Sequence, residues 1–136
     1  MCKRVRTRIT DESVKKGFQT HQIWISFRVT QVYETGAAIY VYFALSHRGM
    51  PKENMVSIYE HIEDAARDEV FLAGGCISHH HGIGKIRKGF IDRTLPKMAI
   101  DWQKSIKDAI DPKNIFAINN TIPSSEKERE RIAKHF

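Results

Sequence analysis

Residues 74–89 read GGCISHHHGIGKIRKG, three consecutive histidines framed by glycines and followed by a basic cluster. Imidazoles in such a setting suit three kinds of chemistry. They change charge near neutral pH and so carry protons, they donate hydrogen bonds to phosphate, and they ligate metals. His79 and His81 could share one face of an extended segment, but a metal site needs a third ligand. The chain contains neither H-E-x-x-H nor C-x-x-C, and no metal is assigned. The run Gly82-Ile83-Gly84-Lys85 is expected to open a helical stretch over residues 83–90. There it would form a phosphate cradle, with backbone N–H groups and Lys85 facing an anion. It lacks the G-x-x-x-x-G-K-[ST] spacing of a P-loop. An acid–base site beside an anion is one reading of the stretch, and a histidine-rich loop without chemistry is the other.

A second group of candidates lies upstream. From Ile23 the apolar period becomes two: Ile23, Ile25, Phe27 and Val29 alternate with Trp24, Ser26, Arg28 and Thr30. Ile39, Val41, Phe43 and Leu45 alternate in the same way, with a turn expected over residues 33–37. These segments predict an antiparallel hairpin. A symmetric turn would place Val29 opposite Val41 and Phe27 opposite Phe43, and on the other face Thr30 opposite Tyr40 and Arg28 opposite Tyr42. Two tyrosines and an arginine beside the small Ala38 and Ala44 suit the lining of a pocket, which makes Arg28 and Tyr42 candidate substrate-binding groups. Tyrosines packed at the edge of a core are the alternative.

Helices must position these groups. Residues 4–16 set Val5, Ile9 and Val14 among charges, the spacing of an amphipathic helix ended by Gly17. Residues 55–73 repeat the pattern with Val56, Ile62, Ala65, Ala66, Val70 and Leu72, stopped by Gly74 and Gly75. A further helix is expected over residues 95–110, opened at Pro96 and closed at Asp111-Pro112. Residues 123–136 are highly charged and nearly without core positions, which predicts a solvated helical tail.

Composition bounds the rest. With 136 residues, 41% hydrophobic and 28% charged, the chain suits one domain with a modest core. No run approaches the roughly 20 apolar residues of a membrane-spanning helix, and no apolar region of a secretory signal follows the charged start, so an intracellular protein is expected. Cys2 and Cys76 are too few for a disulfide framework or a four-cysteine zinc site and are expected as thiols. The net charge of +6 points to an anionic partner. No basic stripe is interleaved with stacking aromatics, so nucleic acid is not expected.

Three blocks, RVTQVYETGAAIYVYFALSHRG, GGCISHHHGIGKIRKGF and IKDAIDPKNIF, occur in this order. Together they closely resemble the C-terminal region of the alkyldihydroxyacetonephosphate synthase family, flavin-dependent proteins of the vanillyl-alcohol-oxidase type. The resemblance spans about residues 28–122, and residues 4–17 resemble the preceding helix. It implies an α+β fold: the antiparallel sheet of the flavin-oxidase cap domain, incomplete here, with packed helices and a helical C-terminal extension. Residues 1–122 would form the cap and substrate region, and residues 123–136 a charged tail. The implied activity is an alkyl transfer of ether-lipid (plasmalogen) synthesis. It uses FAD without net redox change to replace the acyl chain of acyl-dihydroxyacetone phosphate by a long-chain fatty alcohol. The family's proton-carrying tyrosine falls on Tyr40, and its essential triple histidine on His79, His80 and His81. The resemblance places His80, His81 and Asn120 at the cofactor, Asn120 lying in a C-terminal stretch, residues 118–122, that matters in the family. Arg28, Tyr42 and Lys85 would bind substrate. A tyrosine has an ordinary pKa of about 10, so as a base Tyr40 would need positive charge nearby, from the histidines or Arg28.

The resemblance further implies a peroxisomal setting, peripheral membrane contact for lipid substrates and a homodimer, although Lys134-His135-Phe136 is not a peroxisomal tripeptide. The flavin-binding domain is expected N-terminal to these residues. Two readings stay open: the C-terminal part of a working synthase, or a truncated homologue that binds a phosphate, a lipid headgroup or a subunit. In either case Ile23, Ile25, Phe27, Val41 and Phe43 are expected as apolar surface awaiting a further sheet.

Overall fold

The computed structural model describes residues 1–118, 120 and 121. The expected tail over residues 123–136 lies outside them. Two compact units divide the chain after Cys76.

The first unit runs α1 (Cys2–Lys15), a 3-10 turn (Thr20–Gln22), β1 (Ile23–Tyr33), β2 (Gly36–Leu45) and α2 (Met55–Leu72). The apolar stripe of α1 reaches the core through Val5 and Ile9, which meet Ile62 and Ala66 of α2. Val14, expected with them, is 48% exposed. Ser13 is buried instead and donates its hydroxyl to the Ile9 carbonyl at 2.7 Å. A buried hydroxyl satisfied by the preceding turn adds no unpaired polar group to the interior, so a small serine can take the inward position.

Both helices end in the same way. At the end of α2, Gly74 takes φ +77, its N–H meets the Phe71 carbonyl at 2.9 Å and the Gly75 N–H meets the Val70 carbonyl at 2.9 Å. This is a Schellman closure, in which a left-handed residue costs least when it lacks Cβ. α1 closes through Gly17 and the buried Phe18 in the same pattern.

The strands pair antiparallel, but not in the expected register. The ladder sets Phe27 opposite Val41, Val29 opposite Ile39 and Arg28 opposite Tyr40. The turn is tighter than the sequence suggested, with Tyr33 already paired to Gly36. Continued without interruption, that tight turn would have set apolar residues opposite polar ones along the strands. An irregularity between Val29 and Gln31 shifts the register by one, and apolar again faces apolar. The five hairpin residues expected as bare surface, Ile23, Ile25, Phe27, Val41 and Phe43, are partly buried against the α1–α2 core instead. The two helices already cover the face reserved for a further sheet.

The second unit, from Ile77 onward, carries the histidine loop, a 3-10 stretch (Lys88–Arg93) and α3 (Lys97–Ile110), with Pro96 at its N-cap. Phe90, Ile91 and Ile100 are its buried apolar residues. Met98, Trp102, Ile106 and Ile110 recur every fourth position along α3 and are all exposed. Among the described residues no helix is long and apolar enough to cross a membrane.

Candidate functional site

In the first unit the candidates lie on the hairpin face opposite the core. Arg28 and Tyr40 are a directly opposed cross-strand pair, a relation that holds Cβ atoms about 4.5–5.5 Å apart. The sequence had set Arg28 against Tyr42; the corrected register gives it to Tyr40. The Tyr40 and Tyr42 rings, two residues apart on β2, stand 5.9 Å between centroids at 58°. Tyr40 is half-buried, whereas Tyr42 is 41% and Trp24 58% exposed. The face thus combines a phenol, a second phenol, a guanidinium and an indole, with small Ala38 and Ala44 leaving room above the sheet. A cavity of about 450 Å³ in the same unit, lined by Phe18, Leu45, His47, Met55 and Tyr59 among others, includes none of the candidate residues.

In the second unit the three histidine rings stack edge to face in series. His79 and His80 are 5.1 Å apart at 81°, and His80 and His81 are 4.2 Å apart at 79°. Partial desolvation, and then the charges His81 and His79 carry when protonated, hold His80 below its ordinary 6.5. The middle ring therefore favours the neutral form, in which one nitrogen donates and the other accepts. No group of three or more His, Cys, Asp or Glu among the described residues is arranged to hold a metal ion.

The expected phosphate cradle is not formed. Gly82 and Gly84 take left-handed φ of +76 and +58, residues 84–86 are turn, and the only helical stretch nearby is the six-residue 3-10 segment beginning at Lys88. Aligned N–H groups at a helix start are what make an anion cradle, and Lys85 stands exposed in a turn without them.

The segment containing Asn120 does reach this loop. The Thr121 N–H bonds to the Gly84 carbonyl at 2.9 Å, and a side-chain carbon at Gly84 would meet Asn120 Oδ1 at 3.9 Å. The structure thus brings together Asn120 and the glycine run that follows the histidines.

Asp111 is a residue whose role the sequence reading missed. It is buried, and its carboxylate accepts the N–H groups of Ile115 at 2.9 Å and Phe116 at 2.8 Å and pairs with Lys107. The Lys107 ammonium in turn donates to the Phe116 carbonyl at 2.7 Å. The segment from Asp111 to Phe116 is therefore a carboxylate-closed turn, and the signal was an aspartate one position ahead of a proline at a helix end. The Lys107 contact first, with the two N–H groups, holds the Asp111 carboxyl below its ordinary 3.8, to about 2. A carboxylate lowered on folding stabilises the fold above its unfolded pKa and ceases to do so as pH falls through the folded value. Acid titration should therefore loosen this turn between about pH 4 and pH 2. Protection of the Ile115 and Phe116 amides, relative to the intrinsic exchange rate at each pH, should fall in that window, and an Asp111→Asn chain should show the lower protection already at pH 6.

The family described as FAD linked oxidases, C-terminal domain, matches residues 1–119 of this chain. An alkyldihydroxyacetonephosphate synthase of Caenorhabditis elegans is 44% identical over 122 residues, 90% of this chain and 20% of the relative. Proteins of the same name from Dictyostelium discoideum and Trypanosoma brucei brucei are 30% and 29% identical, each over 79% of this chain and 17% of their own length. The chain thus spans about a fifth of the length of the curated relatives it matches.

Proposed function

We propose, for a chain that belongs to the C-terminal domain family of the FAD linked oxidases, that it is the C-terminal part of an alkylglycerone-phosphate synthase. The reaction replaces the acyl chain of acyl-dihydroxyacetone phosphate by a long-chain fatty alcohol, so a carboxylate and a proton leave as the ether forms. The observation that carries the reading is the Arg28–Tyr40 pair on the hairpin face opposite the core, in a chain 44% identical to a synthase of that name.

FAD is the family's cofactor. His80, His81 and Asn120 are exposed and offer ring nitrogens and a carboxamide, groups that both donate and accept, which fits the alternating polar edge of a flavin ring. When bound there, FAD supplies the electron-accepting chemistry that side chains lack. Tyr40 takes a proton from the substrate carbon through its phenolate oxygen and returns it from the phenol so formed, with the Arg28 guanidinium opposing the negative charge of the phenolate form. The neutral tendency of His80 suits it to donate a hydrogen bond. Tyr42 and Lys85 are assigned to the substrate, Lys85 as a point charge for phosphate. We assign the peroxisome as its setting from the family resemblance. The alternative is a truncated homologue that binds a phosphate, a lipid headgroup or a subunit, and the missing helix start after Gly84 weakens its phosphate form.

The test is turnover of a chain extended N-terminally by a flavin-binding domain, supplied with FAD, acyl-dihydroxyacetone phosphate and a long-chain alcohol. Carboxylate release and ether formation in equal amounts are expected. Retained flavin with ester hydrolysis alone would overturn the reading.

A further inference from the structure

Gly82, directly after the histidines, and Gly84, two residues further on, take left-handed φ, and neither has a side chain to hold its own backbone. Their carbonyls are tied from elsewhere. The Gly84 carbonyl accepts the Thr121 N–H at 2.9 Å, and the Gly82 carbonyl accepts Arg87 Nη1 at 3.3 Å. Arg87 is itself anchored, since its backbone N–H bonds to the Ile83 carbonyl at 3.2 Å and its side chain is half-buried. The guanidinium therefore reaches back over a turn that starts one residue after His81. We propose that Arg87 is the positioning residue of the histidine run: its bond to the Gly82 carbonyl fixes the Gly82–Ile83 peptide, so that the glycine after His81 cannot turn freely and the three rings are held in their edge-to-face series.

A lysine could reach the same carbonyl but presents a rotating ammonium in place of a planar fork, so it restores the contact only in part. Arg87 acts through the loop and makes no claim on substrate or flavin. The proposal rests on reading the histidines as part of the flavin site, but its test needs neither flavin nor turnover, so the two fail separately.

The measurement is NMR of the imidazole protons in the isotopically labelled 136-residue chain at fixed pH. Rings 4.2 and 5.1 Å apart at near right angles shift one another's signals, which spreads the three histidines apart. In Arg87→Gln that spread should collapse toward the value of a flexible histidine, with the thermal midpoint unchanged, and Arg87→Lys should recover part of it. An Arg87→Gln chain that folds and keeps the full spread overturns the proposal, because the Thr121–Gly84 bond would then suffice. Should the variant not fold, the unmodified chain decides. Separate, slowly exchanging Nη signals for Arg87 are expected, and a single averaged line would overturn the assignment.

Discussion

Tyr40→Phe, in a chain joined to its flavin-binding domain, is expected to lower kcat by a factor of about 10²–10⁴ with flavin still bound, the range a positioned general acid–base supplies. The substitution removes one oxygen and leaves the ring. Tyr40 is half-buried on a hairpin whose core contacts come from the other face, so packing on α1 and α2 is untouched. The tilted ring contact with Tyr42 survives as well, because it needs the ring and not the hydroxyl. A loss of flavin together with turnover would mean that Tyr40 supports the site structurally. Unchanged turnover would remove the proton-carrying role altogether. A parallel Arg28→Gln chain separates charge from shape: if the guanidinium opposes charge on the phenol oxygen, kcat falls more than substrate binding. A rise in KM alone would reassign Arg28 to the substrate's phosphate.

Much of this site was legible in the sequence because it depends on periods and punctuation. The alternation from Ile23 to Leu45 yields a hairpin with a polar face and an apolar face, and Gly17 and Gly74 end helices where the backbone must turn left-handed. What was not legible depends on a single extra residue or on contacts between residues distant in sequence. The irregularity near Thr30 decides whether Arg28 meets Tyr40 or Val41, and nothing in the alternation marks it. A serine at position 13 looks like a surface residue until its hydroxyl is seen bonded to the preceding turn. The phosphate cradle failed for a related reason. G-x-G-K says that the backbone is free to turn, but a helix must follow for the N–H groups to line up, and here the following residues form turns. Asp111 was read as a helix stop, whereas its carboxylate organises the next five residues.

The largest effect on the fold should come from Ile62→Ala. Ile62 is fully buried on α2 and meets Val5 and Ile9 of α1 and Ala66 one turn along its own helix. Ile25, Phe27, Val41 and Phe43 of the hairpin pack against the same cluster, so the cluster that Ile62 belongs to joins both helices and the hairpin. Truncating a fully buried isoleucine removes its transfer energy and leaves a cavity the neighbours fill only in part, which costs about 2–5 kcal/mol. With a urea slope of about 1–3 kcal/mol per molar, the unfolding midpoint should fall by on the order of 1 M. Val56→Ala on the same helix, at a position 73% exposed, should shift it little, about 0.5 kcal/mol or less. The contrast has a bearing on function. The helices give the hairpin its rigid backing, so the opposite face can carry Arg28 and Tyr40 at a fixed register without contributing to the core. If Ile62→Ala proved as mild as Val56→Ala, the α1–α2 cluster would not be what holds the hairpin, and the argument that its polar face is free to serve a site would lose its support.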